Sequence, residues 1–322
     1  MHKPKIWIID EAWRDYEVEK EELRKAFSDV EICYSGYDYH ADMEKFGKDA
    51  DAILAQIFAV IKDEDMQKLS KCKVISVFGG GYDKVDVAAA KKYDIKVAFV
   101  PGYCTEDIAD YTMAAIFHCN KAITSFNQIT SKCLWGYRAL QDPPNRATDA
   151  NLLIIGLGRI GSCVAKKARA LGMKVYAYDP YVTESKMEEI GVIKTDFHAG
   201  LANADYVSVN AKRTPETEDM IGWDAFTSMK PSAYIINTAR GQIIDEPSLI
   251  KAVTEKRIAG AVIDVVHTEP PTFKEPIFNT PGILVTPHIS YLSVQSLNEL
   301  KARTTRNAIK ILKGEDGADI AL

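Results

Sequence analysis

Short runs of branched apolar residues alternate with charged segments of helical period along the first hundred residues. The apolar runs predict five strands, at 5–9, 30–34, 52–55, 74–78 and 96–100. The charged segments predict helices, among them 17–27 and 63–69. Strands and helices that alternate in this way are typical of a parallel sheet covered by helices. We therefore predict that this part of the chain forms a doubly wound α/β domain.

A second series of the same kind begins at Asn151. It predicts about six strands, at 151–155, 175–178, 206–209, 234–236, 261–263 and 283–285, and so a second doubly wound domain. Between the two series, Pro101-Gly102 interrupts regular secondary structure and marks a predicted domain boundary. One long helix is then predicted over 106–129, before an irregular arm over 131–147. A last helix, over 294–313, is expected to pack on the first domain.

The start of the second series carries a glycine motif between a strand and a helix. Gly156 allows a tight turn, Gly158 lets the backbone approach a pyrophosphate, and Gly161 lets the helix pack closely on the strand. The free N–H groups and the positive dipole end of the helix favour the phosphates there. A glycine-rich turn of another strand–helix unit is the alternative interpretation of three glycines alone.

An acid at the tip of the next strand completes the motif. Asp179 lies 18 residues after Gly161, close to the ~20 residues expected for a carboxylate that binds ribose hydroxyls. The sequence therefore predicts a dinucleotide-binding site. Asp179 would repel a 2′-phosphate, which favours NAD over NADP, although Arg159 and Lys174 are cations close by in the sequence.

Composition narrows the function further. The chain has 322 residues, enough for two domains, with 47% hydrophobic and 26% charged residues. Its net charge of −5 argues against a nucleic acid or an anionic membrane as main partner. We expect no signal peptide and no membrane span, because no apolar run approaches the ~18 residues required. Six cysteines without CxxC spacing indicate reduced thiols in a cytoplasmic protein and no metal site.

Three reactive side chains follow strands of the second series. Arg240 follows 234–236, Glu269 follows 261–263, and His288 follows 283–285. Ligands bind at the carboxyl ends of parallel strands, so these side chains are candidates for one site. His288 could exchange a proton with a carbonyl or alcohol oxygen, Glu269 could bind its other ring nitrogen, and Arg240 could hold a carboxylate in a forked pair.

Each of these residues also has an ordinary interpretation. An arginine after a strand is usually a surface or ion-pair residue, and a histidine after proline is usually a loop residue. His267, two residues before Glu269, is the histidine that could compete with His288, whereas His2, His40, His118 and His198 are interpreted as structural or exposed. The loop Gly79-Gly80-Gly81 could bind an anion, but from the residues alone a simple tight turn is favoured.

Seven segments, in order and spacing, resemble the D-isomer-specific 2-hydroxyacid dehydrogenase family over nearly the whole chain. They are GGGYDKVDVAAAKKYDIKVAFVPG, GLGRIG, YAYDP, TPETEDMIG, MKPSAYIINTARGQIIDE, AGAVIDVVHTEP and VTPHIS. The resemblance implies that Arg240, Glu269 and His288 are the catalytic set. It also implies that Asp264 lies near the nicotinamide amide, Thr238 and Ala239 line the cofactor, Arg159 and Ile160 cover the pyrophosphate, and the backbone at Gly80 and Gly81 binds the substrate carboxylate with Arg240.

The same resemblance implies the architecture. A Rossmann NAD-binding domain over 101–289 would be inserted into a discontinuous, flavodoxin-like substrate domain of residues 1–100 and 290–322, and the protein would be a homodimer. The implied reaction transfers a hydride between NAD(H) and a 2-oxo acid or (R)-2-hydroxy acid, while His288 handles the proton.

Three positions depart from the common family pattern. Asn210 begins the segment Asn210-Ala211-Lys212-Arg213-Thr214, where many members read His-x-Pro-Leu-Thr, which alters the adenine-side wall of the cofactor site. Asp110 stands at a position where a glutamate is common in the family. Tyr291 stands where many members have glycine. An aromatic residue at this position is similar to the C-terminal-binding protein branch of the family. Tyr291 either lines the substrate pocket, with Tyr82 and other aromatic residues such as Tyr103 and Trp135, or simply packs at the domain interface.

Two other functions stay open on the sequence. One is an NAD(H)-sensing binding protein of the C-terminal-binding protein type, which the intact Arg240, Glu269 and His288 argue against. The other is phosphoglycerate dehydrogenase, for which the ~30 residues after His288 leave no room for a regulatory domain. A formate dehydrogenase-like site would need glutamine at 269 and is disfavoured by Glu269.

Overall fold

The computed structural model describes residues 3–136 and 145–321. It divides into two compact units, Met1–Tyr103 with Ser293–Leu322, and Cys104–Leu292, so the chain passes from one unit to the other after Tyr103 and after Leu292. Residues 137–144 of the predicted arm, and His2, lie outside the described residues. The expected roles of the two units in substrate and dinucleotide binding stay predictions at this point.

The strands, in chain order, are β1 (Lys5–Ile9), β2 (Glu31–Ser35), β3 (Ala52–Gln56), β4 (Val74–Phe78), β5 (Lys96–Ala98), β6 (Asn151–Ile155), β7 (Lys174–Tyr178), β8 (Ile193–Lys194), β9 (Tyr206–Val209), β10 (Tyr234–Asn237), β11 (Gly260–Ile263) and β12 (Ile283–Val285). The helices are α1 (Glu17–Ala26), α2 (Asp63–Met66), α3 (Val87–Lys92), α4 (Thr105–Lys121), α5 (Ile123–Thr130), α6 (Arg159–Ala170), α7 (Glu184–Glu189), α8 (Phe197–Asn203), α9 (Trp223–Ser228), α10 (Glu246–Thr254) and α11 (Val294–Lys313).

The first unit is built on a five-stranded sheet with the order β2-β1-β3-β4-β5 and parallel ladders. This is the flavodoxin-like order, and β3 and β4 consist of buried residues only, as strands covered on both faces do. Helix α11 packs on this sheet as the sequence predicted, since the Ser76 hydroxyl donates to the Thr304 carbonyl over 2.8 Å.

The second unit contains a seven-stranded sheet with the order β12-β11-β10-β9-β6-β7-β8. Counted from β6, this is the doubly wound Rossmann order 3-2-1-4-5-6 with one more strand beyond it. The predicted fold class, two doubly wound parallel-sheet domains of Rossmann and flavodoxin-like type, is confirmed. The predicted number of strands was one too small, because β8 consists of two exposed residues at the sheet edge and has no apolar run to reveal it.

The single long helix predicted over 106–129 is wrong. The structure has two helices, α4 and α5, separated at Ala122, whose φ of +47° lies in the left-handed region and ends the first helix. Alanine is the best helix former, so nothing in the local sequence marks this break. Among the helices of the described residues, none is both long enough and apolar enough to cross a membrane.

Candidate active site

The glycine motif forms a turn that only glycine fits at two of its three positions. Gly156 has a φ of +89°, and a Cβ there would lie 2.6 Å from the backbone of Ala211. A Cβ on Gly161 would lie 2.2 Å from the carbonyl oxygen of Gly156. At Gly158, by contrast, no described atom beyond its two chain neighbours lies within 4 Å of such a Cβ. The protein thus leaves open space above Gly158, next to the first turn of α6, where a pyrophosphate could approach.

Asp179 lies at the end of β7 and is joined to this turn. Its two carboxylate oxygens accept hydrogen bonds from the backbone N–H groups of Leu157, over 2.8 Å, and Tyr181, over 2.9 Å. The acid is therefore fixed beside the glycine loop. Arg159 and Ile160 form the first helical turn behind it, with Arg159 exposed.

Two buried polar groups at neighbouring strand ends lack partners among the described residues. They are the Thr238 hydroxyl, after β10, and the side-chain oxygen of Asn210, after β9. A buried polar atom without a hydrogen bond is costly, and such atoms at strand ends suit a polar ligand that completes them. Together with the glycine turn and Asp179, they fit a dinucleotide.

The loop after β10 is shaped by Asn237. Its side-chain oxygen accepts from the N–H of Ala239 over 3.0 Å, and its amide nitrogen donates to the carbonyl of Arg240 over 2.9 Å. Asn237 is only 1% exposed, so these bonds are shielded from water. They fix the backbone from which the half-buried Arg240 side chain extends. No motif in the sequence marks this role of Asn237.

His288 and Glu269 form a close pair. The Nδ1 atom of His288 lies 2.8 Å from Oε2 of Glu269, and each side chain is 16% exposed. The other carboxylate oxygen of Glu269 accepts from the N–H of Val266 over 3.0 Å, which fixes its orientation. With Nδ1 bound to a carboxylate, Nε2 is the ring nitrogen that would act as acid or base.

Asp264 holds the loop that carries His288. Its carboxylate accepts from the N–H groups of Ile289 (2.9 Å) and Ser290 (2.8 Å), and its carbonyl accepts from the N–H of His288 (2.9 Å). His288 has a φ of +53°, a conformation that costs a non-glycine residue free energy and persists only where the surroundings impose it. The structure thus gives Asp264, 1% exposed, a role in shaping the loop that the sequence did not reveal. Its expected contact with the nicotinamide amide stays a prediction.

The loops that carry Arg240 and Glu269 are packed against each other. A Cβ on Gly241 would lie 2.1 Å from the carbonyl carbon and oxygen of Val266, so the two backbones are in direct contact. The Gln242 side chain also donates to the carbonyl of His267. Since β10, β11 and β12 are neighbours in the sheet, Arg240, Glu269 and His288 leave it from adjacent strands.

The remaining candidates lie in varied surroundings. The Tyr291 ring stands edge-on to His288 with 6.4 Å between centroids, whereas His267 is exposed and Trp135 is 83% exposed. In the first unit, Gly80 is exposed and Gly81 half-buried, and Tyr82 packs edge-on against Phe99. Their expected substrate contacts stay predictions. Of the other histidines, His40 contacts Asp65, His118 is half-buried and His198 is exposed.

A Rossmann unit with a dinucleotide turn and an acid–imidazole pair at its strand ends defines the class of nicotinamide-dependent oxidoreductases. Comparison with known proteins makes this specific. The sequence model of the D-isomer specific 2-hydroxyacid dehydrogenase NAD-binding domain matches residues 113–290. Glyoxylate reductase of Thermococcus litoralis is 32% identical over 273 residues, which are 83% of this chain and 82% of that protein.

Two further proteins are similar. D-3-phosphoglycerate dehydrogenase of Archaeoglobus fulgidus is 32% identical over 81% of this chain, but that match spans only 51% of the longer relative. The crystal structure of Aquifex aeolicus D-lactate dehydrogenase, complexed with NAD and lactic acid, superimposes with a TM-score of 0.85 at 26% identity and covers 96% of each chain.

The chain belongs to the D-isomer-specific 2-hydroxyacid dehydrogenase family. It is an oxidoreductase of the NAD-dependent kind, and both the predicted family and the predicted cofactor, NAD, are confirmed.

Proposed function

We propose that this protein interconverts 2-oxo acids and (R)-2-hydroxy acids, with Arg240, Glu269 and His288 as its catalytic residues. The observation that carries the proposal is the 2.8 Å pair between Nδ1 of His288 and Glu269. The pair lies within the segment matched by the family's NAD-binding domain. The carboxylate stabilises the protonated imidazole and leaves Nε2 as the proton donor.

In reduction, Nε2 of His288 donates a proton to the substrate carbonyl oxygen, and in oxidation it takes the proton from the hydroxyl. Bound NAD(H) supplies or accepts the hydride. A positioned acid or base of this kind contributes about 10²–10⁴-fold to a rate. Arg240, whose loop is fixed by Asn237, binds the substrate carboxylate through its guanidinium fork.

Tyr291 stands beside the proposed proton donor. Its ring stands edge-on to the His288 ring, which supports a role in lining the substrate pocket. A tyrosine at this position favours substrates that offer a flat or apolar surface. This makes aromatic and branched 2-oxo acids better candidates than glyoxylate.

The cofactor preference follows from Asp179. Its carboxylate is held against the glycine turn, where it binds ribose hydroxyls and repels a 2′-phosphate. We therefore propose that the enzyme prefers NAD(H) to NADP(H).

We further propose a cytoplasmic homodimer. All six cysteines are free thiols, which suits a reducing compartment. No residue of helix α5 is fully buried among the described residues. Ile123 at its start is 58% exposed, and Trp135, five residues after its end, is 83% exposed, so both present apolar surface. Sedimentation of the wild type and of Trp135→Lys tests this; a monomeric wild type contradicts it.

The central experiment is NADH oxidation with glyoxylate, hydroxypyruvate, its 3-phosphate, pyruvate, phenylpyruvate and 2-oxoisocaproate. His288→Asn tolerates the left-handed backbone and is expected to lose at least about 10²-fold in kcat with little change in NADH binding. His267→Ala, at the exposed neighbouring histidine, is the matched control and should keep full activity. Chiral analysis of the product tests for the (R) isomer.

The outcomes separate the alternatives. An active His288→Asn variant contradicts the proposed role of His288. Wild-type protein that binds NADH tightly but turns over none of these acids indicates an NAD(H) sensor. Turnover confined to the phosphorylated substrate indicates phosphoglycerate dehydrogenase.

A further inference from the structure

A chain of three side chains connects helix α4 to the loop that carries His288. The phenol oxygen of Tyr111, on α4, lies 2.5 Å from the hydroxyl oxygen of Thr286. Thr286 in turn donates to a carboxylate oxygen of Asp264 over 2.6 Å. The same oxygen accepts from the N–H of Ile289, one residue after His288. The chain of contacts therefore ends beside the proposed proton donor.

The direction of the hydrogen bonds follows from the chemistry of the groups. A carboxylate only accepts, so the single proton of Thr286 is used toward Asp264. The phenol of Tyr111 must then be the donor to Thr286. Burial raises the pKa of Tyr111, and the phenol therefore keeps its proton at any pH at which the enzyme would work.

This series of hydrogen bonds supports the backbone at His288, which adopts a left-handed conformation. That conformation persists only where the surroundings impose it, and here Asp264 imposes it through the N–H groups of residues 288, 289 and 290. Thr286, itself held by Tyr111, adds a side-chain donor to Asp264 from outside this run of N–H groups. Consecutive hydrogen bonds of this kind strengthen one another.

We propose that Tyr111 is a positioning residue, which fixes the His288 imidazole against Glu269 through Thr286 and Asp264. The proposal rests on the function proposed above, since it concerns the placement of the proton donor. Tyr111 itself need not touch the substrate. Its loss should lower the rate of the proton-coupled step and leave ground-state binding unchanged.

The test compares Tyr111→Phe with Tyr206→Phe. Each removes one phenol hydroxyl from a partly or fully buried tyrosine of the same unit, but the Tyr206 hydroxyl accepts from Asn120, away from the His288 loop. We expect Tyr111→Phe to lower kcat about three- to tenfold, the range that one hydrogen bond supports, with KM for NADH and for the 2-oxo acid changed less than about twofold. Tyr206→Phe should leave kcat unchanged.

The pH profile gives a readout that a merely structural role would not move. In reduction the site must supply a proton, so kcat/KM falls on the alkaline side of the profile. A looser contact with Glu269 stabilises the imidazolium less, so in Tyr111→Phe this fall should begin at lower pH than in the wild type and in Tyr206→Phe. An unshifted profile overturns the proposal.

Substitutions of Thr286 provide a third test. Thr286→Ser keeps the hydroxyl and should keep near wild-type kcat, whereas Thr286→Val should match Tyr111→Phe. The double variant Tyr111→Phe/Thr286→Val should be about as active as either single variant, because both substitutions interrupt the same series of hydrogen bonds. Losses that multiply overturn the proposal. If His288→Asn stays active, the proposed function fails; if it is inactive while Tyr111→Phe behaves as Tyr206→Phe, only this inference fails.

Discussion

Nδ1 of His288 lies 2.8 Å from Oε2 of Glu269, although 19 residues separate them in the sequence. The contact joins an acid after β11 to an imidazole after β12. It gives one ring nitrogen a carboxylate partner, and we propose that proton transfer uses the other.

Replacement of Glu269 tests the value of that charge. Glu269→Gln keeps the size of the side chain but offers no negative charge to a protonated imidazole. We expect kcat/KM for reduction to fall about tenfold to hundredfold, within the range of acid–base effects, with the loss of activity beginning at lower pH. Kinetics between pH 5 and 9 measure this. Glu246→Gln, which alters a carboxylate 3.4 Å from the N–H of His267, is the control and should have a normal profile.

Two glycines of the turn, Gly158 and Gly161, should respond differently to alanine. Gly158→Ala places its Cβ in open space, so the thermal midpoint should stay within about 1 °C while the Kd for NADH rises at least about tenfold. Gly161→Ala forces its Cβ against the Gly156 carbonyl and should destabilise the protein by about 1–3 kcal/mol. Calorimetry and NADH titration separate the two effects. Equal stability losses would contradict this assignment.

Asp179 should decide between the two nicotinamide dinucleotides. Asp179→Ser removes the acceptor for the ribose hydroxyls and the repulsion of a 2′-phosphate. NADH binding should weaken by roughly tenfold or more, since hydrogen bonds to charged groups are strong, while NADPH binding improves. If the substitution merely disturbed the turn that Asp179 holds through Leu157, both cofactors would bind more weakly. Titrations with both cofactors therefore distinguish the explanations.

A buried glutamate makes stability depend on pH. Glu19 is fully buried in the first unit, 3.5 Å from Lys301, and burial raises the pKa of its carboxyl from 4.5 to about 7. The folded state therefore binds a proton that the unfolded state releases between about pH 4.5 and 7. Stability falls across this window as pH rises, by about 3 kcal/mol in total.

Glu19→Gln should abolish this slope, which unfolding measured at pH 5, 6, 7 and 8 would show. Glu22 is a control of opposite sign. Its ion pair with Arg306 lowers the pKa of the carboxyl, so it contributes stability above the unfolded pKa that is lost as pH falls through the lower, folded value. Glu22→Gln should therefore leave the slope between pH 5 and 7 in place.

Strands and the glycine turn could be predicted because their signals are local. The buried runs at 74–78 and 206–209 became β4 and β9 with the same bounds, since a strand covered on both faces must be apolar throughout. The candidates Arg240, Glu269 and His288 could be placed at strand ends for the same reason. The break at Ala122 could not be predicted, because it lacks the glycine or proline that usually marks one.

The support of the candidate site could not be read from the sequence for a different reason. Tyr111 and Thr286 are 175 residues apart, and although Thr286 stands in the VTPHIS segment, nothing there marks it as a partner of Tyr111. Asp264 could be placed at a strand end, but not its bonds to the N–H groups of residues 289 and 290, which depend on the path of a loop. Contacts between distant segments are set by packing, and a single sequence carries no separate mark of them.

The left-handed backbone at His288 restricts which residues can replace it during evolution. Glycine and asparagine accept that conformation with little strain, whereas valine, isoleucine and threonine do not. A descendant that kept the scaffold but gave up proton transfer would therefore drift toward glycine or asparagine here. The residue at position 288 would therefore distinguish lineages that lost catalysis from lineages that only changed substrate.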